Sequence, residues 1–165
     1  MNILITGKPG IGKTTVIRKI IAGCPNVEGF FTGEIRENRK RIGFAIETVD
    51  GRKGVLAHVG IKSPFHVSKY SVNLQDIEEI CVPSLKLEAD LIVIDEIGKM
   101  ELFSERFKEK VINALDTRKV LATIMESPHP FTDKIKKRDD VCMYTVTEEN
   151  RCELVDIIRK KIKSQ

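Results

Sequence analysis

The chain has no tryptophan, only two tyrosines, and glutamine at positions 75 and 165 alone. Its four cysteines, Cys24, Cys81, Cys142 and Cys152, form no C-x-x-C pair. His58, His66 and His129 are not spaced as metal ligands. These absences exclude a structural zinc site and a secreted disulfide scaffold, and point to a reducing cytoplasm. No apolar run approaches the roughly 20 residues that a membrane span needs. The first residues are strand-like instead of a basic signal sequence, so the expectation is a cytoplasmic protein starting at Met1. Charge of one sign is missing too: 28 basic residues meet 24 acidic ones, for a net +4. That balance argues against a dedicated nucleic-acid or membrane-surface protein, yet tolerates a polyanionic ligand.

What the chain does have is charge of both signs and enough apolar material for a core. Charged residues make up 32%, against about 25% in typical domains, and with so few amides this leans toward the composition of thermophile proteins. At 165 residues and 41% hydrophobic, residues 1–165 are expected to form a single domain without staples.

The apolar pattern alternates between strand and helix, which predicts an α/β three-layer sandwich with a mainly parallel central sheet. Asn2 to Thr6 reads as a strand, Gly7 to Gly12 as a loop, and Thr14 to Ala22 as a helix carrying Val16, Ile17, Ile20 and Ile21. Gly29 to Ile35, Arg41 to Val49 and Lys53 to Val59 read as strands joined by a looser turn at Asn38 to Lys40 and a hairpin turn at Asp50-Gly51, an antiparallel β-meander inserted at about 34–60. Asn73 is placed to cap a helix running to about Pro83. Asp90 to Asp95 is apolar on both faces, as a strand covered on each side requires. Ser104 opens a helix, Lys119 to Ile124 and Val141 to Val146 read as strands, and Thr147 is read as the cap of the last helix.

Gly7-Lys-Pro-Gly-Ile-Gly-Lys-Thr14 satisfies G-x-x-x-x-G-K-[ST] in full, between a strand and a helix as phosphate binding requires. Glycines let the backbone wrap an anion with N–H groups inward, and the helix start adds unpaired N–H groups and a partial positive charge. Lys13 then reaches the β- and γ-phosphates, and the Thr14 hydroxyl binds the Mg²⁺ that bridges them. Leu91-Ile-Val-Ile-Asp95 supplies the partner acid, with Asp95 as second metal residue. Glu96 follows, either positioning a water against the γ-phosphate or lying as a solvated carboxylate beyond the strand.

Asp95-Glu-Ile-Gly98 also matches the D-x-x-G of GTP switches, but no N-K-x-D follows to read guanine. A small-molecule kinase would share the loop and would need an acceptor pocket and a basic lid. Arg36, Arg39, Lys40 and Arg41 are candidates for such a lid, although a solvated β-edge is the reading preferred. Three classes stay open: a nucleoside-triphosphatase, a kinase for a small acceptor, and a nucleotide-dependent switch. Lys134, Lys136, Lys137 and Arg138 read as a helix end, and Arg159, Lys160, Lys161 and Lys163 as the last turn of another. Neither cluster is interleaved with aromatics, so no specific nucleic-acid partner is expected. Ser127 to Pro130 reads as a loop, with no catalytic role assigned to His129.

With these motifs in view, the chain resembles the small P-loop nucleoside-triphosphatase family of archaea and thermophilic bacteria, whose human relative is called cancer-related nucleoside-triphosphatase. The likeness rests on Gly7 to Thr15, on Gly29-Phe-Phe-Thr-Gly-Glu-Ile-Arg36 with Gly43-Phe44, on Asp95-Glu-Ile-Gly-Lys-Met-Glu-Leu102, and on Thr145-Val-Thr-Glu-Glu-Asn-Arg151. It implies Mg²⁺-dependent release of phosphate from ATP, GTP, CTP and UTP with weak base preference. It also implies a recombinase-like core of the catalytic-glutamate division, with strand order 5-1-4-3-2. Carried onto this sequence, Gly7, Lys8, Pro9, Gly10, Ile11, Gly12, Lys13, Thr14 and Thr15 hold the phosphates, Asp95 the metal and Glu96 the water. Lys99, four residues past Asp95, is carried over as a cation for the γ-phosphate, against the plain alternative of a surface lysine. No arginine sits in a recognisable finger motif, so slow turnover is expected, from a monomer.

Overall fold

The computed structural model describes residues 1–165. One nine-stranded mixed sheet runs through the molecule in the order β5-β6-β4-β3-β2-β7-β8-β1-β9. The strands are β1 Asn2–Thr6, β2 Val27–Glu37, β3 Lys40–Thr48, β4 Lys53–His58, β5 His66–Val67, β6 Tyr70–Val72, β7 Leu91–Ile97, β8 Val120–Ile124 and β9 Val141–Thr145. Five neighbours, β2, β7, β8, β1 and β9, pair in parallel. From the second half of β2 the sheet continues antiparallel through β3, β4, β6 and β5.

Alternation along the parallel strands fills two separate cores. Leu4, Ile92, Ile94, Val120 and Ala122 face one side, and Ile3, Ile5, Leu91, Val93 and Leu121 the other, as period-two side chains must when helices cover both faces. The first core is closed by Ile77 and Cys81 from α2 (residues 74–84), Phe107, Val111, Ala114 and Leu115 from α3 (Glu105–Asp116), and Ile135 from α4 (Pro130–Lys136). The second is closed by Val16, Ile17 and Ile20 from α1 (Lys13–Ile21) and by Leu154, Val155 and Ile158 from α5 (Arg151–Lys163). Helix α2 joins three pieces, Leu74–Asp76, a π turn Ile77–Cys81, and Val82–Ser84, and Asn73 caps it by accepting from the Asp76 N–H at 3.2 Å.

Several local expectations need correction. The β2–β3 turn is a tight two-residue one, with Asn38 and Arg39 both at positive φ (50° and 64°), the backbone that suits right-twisted hairpin strands. Strands β5 and β6 were not expected; at two and three residues they are too short to show a period. The loop read at Ser127 to Pro130 leads into α4, where Pro130 takes the first helical position and His129 is its cap, Nδ1 accepting from the Phe131 N–H at 3.1 Å. Proline there loses no intrahelical bond. The last helix starts at Arg151, because Thr147 and Asn150 bond each other's backbone N–H groups (3.2 and 2.8 Å) in a turn before it.

Candidate active site

The loop after β1 turns into α1 through Gly12, whose φ of 107° is closed to most L side chains. Gly10, at φ 78°, is a second such position. Lys13 folds back over the loop, its Nζ donating to the Gly7 carbonyl at 2.6 Å. Lys8, Pro9 and Gly10 stand exposed, Ile11 through Thr14 are half-buried, and Thr15 is exposed at the helix start.

Strand β8 lies between β1 and β7 and supplies a residue that connects them. The Thr123 hydroxyl donates to Asp95 Oδ1 at 2.7 Å, and the Thr14 hydroxyl donates to Oδ2 at the same distance. Asp95 is 4% exposed. Burial pushes its carboxyl above the usual range, while the two hydroxyls and Lys13 oppose that rise. The oxygen-only donor set of Thr14 and Asp95 suits a hard cation that also takes phosphate oxygens and waters. No cluster of three or more His, Cys, Asp or Glu side chains could cage a metal by itself.

Glu96 lies inside β7, so the strand runs past the expected end at Asp95. The β7–β8 register slips between Ile94 and Ile97, a bulge that re-aims side chains next to a site. Glu96 is half-buried, and burial, reinforced by the Asp95 charge and opposed by Lys13, raises its pKa. Glu101, left without a role by sequence reasoning, is 3% exposed and accepts from the Gly98 N–H through Oε2 at 2.9 Å. Burial, with Glu96 adding to it, pushes its carboxyl well above the usual range. Glu96 Oε1 and Glu101 Oε2 approach within 2.6 and 3.1 Å of where a Gly98 Cβ would stand.

A cleft of about 540 Å³ separates the loop from the antiparallel extension. Pro9, Gly10, Gly12, Lys13, Thr14 and Thr15 form one wall, and Thr32, Gly33, Glu34, Arg41 and Phe44 the other, with Asp95 and Glu96 between them. Sequence reasoning therefore missed a whole wall, whose only local signal was the Gly29 to Arg36 motif with Gly43-Phe44. It also missed Thr123, signalled by one hydroxyl in an otherwise apolar strand. Of the hairpin cations Arg36, Arg39, Lys40 and Arg41, all exposed, Arg41 alone lines the cleft. Lys99 is exposed and lines an adjoining cavity of about 350 Å³ beyond Glu96, which Lys13 and Glu101 also border.

The NTPase family model matches residues 2–159. The nucleoside-triphosphatase THEP1 of Thermotoga maritima is 51% identical over 99% of this chain and 96% of its own. The cancer-related nucleoside-triphosphatase of Homo sapiens is 39% identical over 95% and 94%. The crystal structure of THEP1 from Aquifex aeolicus superposes with a TM-score of 0.87 at 37% identity, covering 96% of both chains. The solution structure of the human protein gives 0.84 at 37% identity, over 99% and 98%. With the family model spanning nearly its whole length, the chain belongs to the NTPase family, the nucleoside-triphosphatases its motifs resemble.

Proposed function

We propose that the protein hydrolyses nucleoside triphosphates, ATP, GTP, CTP and UTP among them, to diphosphate and phosphate in a Mg²⁺-dependent reaction with weak base preference. The observation that carries the reading is the hydrogen bond from Thr14 to Asp95, with Glu96 next in the same strand, across one cleft from the loop amides. Mg²⁺, held through Thr14 and Asp95, would neutralise phosphate charge. The loop N–H groups and Lys13 bind the triphosphate tail, and Lys13 offsets charge on the γ-phosphoryl oxygens. Glu96 orients a water and takes its proton as the water oxygen bonds to the γ-phosphorus and the bond to the bridging oxygen breaks, the electron pair leaving with the diphosphate. The raised pKa of Glu96 suits that role. Lys99, which lines the adjoining cavity with Glu96, would be a further cation against the γ-phosphate.

The parallel order β2-β7-β8-β1-β9 and the acid after Asp95 support a recombinase-like fold of the catalytic-glutamate division. The cleft lies within one chain, in keeping with a monomer, and the free cysteines suit a cytoplasmic setting. A panel of the four triphosphates with Mg²⁺, followed by phosphate release without any added acceptor, tests the reading. Lys13→Ala should lose binding and hydrolysis together, whereas Glu96→Gln should keep nucleotide bound while turnover falls at least about 10²-fold. Full activity in Glu96→Gln, or phosphate leaving only on an added acceptor, contradicts it.

A further inference from the structure

The cleft contains a cation that neither the loop nor the metal pair explains. Arg41, on β3, enters from the wall opposite the phosphate loop. Its guanidinium is held on two edges: Nε donates to the Tyr70 hydroxyl at 2.9 Å, and Nη1 donates to Glu34 Oε1 at 3.2 Å. The Tyr70 hydroxyl donates in turn to the Arg41 carbonyl at 3.3 Å. The guanidinium carbon lies 5.1 Å from the Phe44 ring centre and 5.5 Å from that of Tyr70, near enough for both rings to stabilise the charge. Nη2 has no hydrogen-bond partner. Arg36 shares Glu34 with it but has no free edge: it pairs with Glu34 Oε2 and bonds the Arg39 carbonyl, all three of its nitrogens engaged.

The geometry points to Arg41 as a catalytic residue, an arginine supplied from within the chain that contacts the γ-phosphoryl oxygens as charge develops on them; this rests on the hydrolase reading above. Glu34 lines the same cleft and shares its two oxygens between Arg41 and Arg36. An arriving triphosphate presents oxygens of higher charge to Nη1 and the free Nη2, so it competes with Glu34 for the guanidinium fork, while the Tyr70 contact at Nε keeps the orientation. Only a group that binds the reacting phosphoryl more tightly in the transition state raises turnover. A planar cation fixed at its inner edge and open at its tip meets that condition better than Lys99, which has no hydrogen-bond partner to orient it. Comparable arginines contribute about 10³–10⁵ in rate, and a P-loop enzyme that carries its arginine in the same chain can still turn over at only about 10⁻² per second. Slow turnover and an internal arginine are therefore compatible.

The test compares Arg41→Ala and Arg41→Gln with the parent protein. Phosphate release is measured under saturating Mg–ATP, and binding is measured with a non-hydrolysable Mg–ATP analogue and with Mg–ADP–aluminium fluoride, a transition-state mimic. The Gln variant keeps a planar group against Phe44 and Tyr70 should the Ala variant unfold. Expected are a fall in turnover of about 10²-fold or more, less than about threefold change in analogue affinity, and a loss of aluminium fluoride affinity that follows turnover. Tyr70→Phe, which removes the hydroxyl that meets Nε and the Arg41 carbonyl but keeps the ring, should lower turnover about 5–10-fold with the same split. Turnover within about threefold of the parent overturns the inference, as does a fall matched by an equal loss of analogue affinity. Loss of turnover in Lys99→Ala but not in Arg41→Gln overturns it equally. If the parent protein releases no phosphate, the hydrolase reading has failed; if it does and the Arg41 variants match it, this inference alone has failed.

Discussion

Replacing Thr123 by Val tests whether Asp95 is held as an ion by the two hydroxyls around it. Thr123 is fully buried on β8, and its hydroxyl is the donor to Asp95 Oδ1. Val keeps the shape and removes the donor, leaving a carboxylate oxygen in a 4%-exposed residue without its hydrogen bond. A hydrogen bond to a charged group is worth about 1.5–3 kcal/mol, which for a domain of this size lowers Tm by about 3–12 °C. Thr123→Ser provides the contrast, since it keeps the hydroxyl and gives up one buried methyl, at a cost of about 1 kcal/mol. Urea unfolding followed by circular dichroism, without nucleotide or metal, gives both values. A double-mutant cycle then isolates the cause: on an Asp95→Asn background the Val substitution should cost at least about 1 kcal/mol less. A Val variant as stable as the Ser variant, or a cycle with no coupling, would refute the reasoning.

Glu101→Gln should flatten the pH dependence of stability. A folded-state pKa above the unfolded value means that the native protein binds more protons between the two, so Glu101 costs stability as pH rises from about 4.3 through its raised folded value. The variant should gain Tm relative to the parent at pH 8 and little at pH 4, with the Gln oxygen still accepting from Gly98; a larger gain at pH 4 would contradict the assignment. Gly98→Ala places a methyl 2.6 Å from Glu96 Oε1, so turnover should fall by about 10-fold or more with nucleotide affinity kept, measured by phosphate release and calorimetry. Gly29→Ala meets the Val93 carbonyl oxygen at 1.9 Å, at a φ of 126°. It should cost at least about 2 kcal/mol in urea unfolding, because Gly29 and Val93 pair across β2 and β7.

The parts of the site legible in the sequence are those encoded by neighbours in the chain. The phosphate loop is a contiguous string between a strand and a helix, and Asp95 ends an apolar run, so both positions follow from spacing alone. Asn73 and Ser104 were readable as caps for the same reason, and both accept from the N–H three residues on. What resisted was set by distance. Arg41 points into the cleft through a bulge between Ile35 and Arg36 and a hydroxyl 29 residues away; its sequence neighbours Arg39 and Lys40 leave it looking like one more edge cation. Nothing in Lys-Met-Glu-Leu says that Glu101 is nearly sealed from solvent. Pro130 was read as part of a loop, although a helix tolerates proline at its first position.

The buried acids also explain why the site must take its nucleotide with a counter-charge. Glu34, Asp95 and Glu96 line the cleft against two cations, Lys13 and Arg41, and a triphosphate adds further negative charge. Burial has already raised Asp95 and Glu96, so an anion arriving alone would raise both further and lose part of its attraction to Lys13. A divalent cation held through Asp95 and Thr14 would reverse the sign of that effect and favour the charged forms of Asp95 and Glu96. Nucleotide and metal would then each strengthen the binding of the other by the same factor. Glu96 borders the phosphate cleft with its carboxyl raised by burial, a property suited to a residue that takes a proton from water.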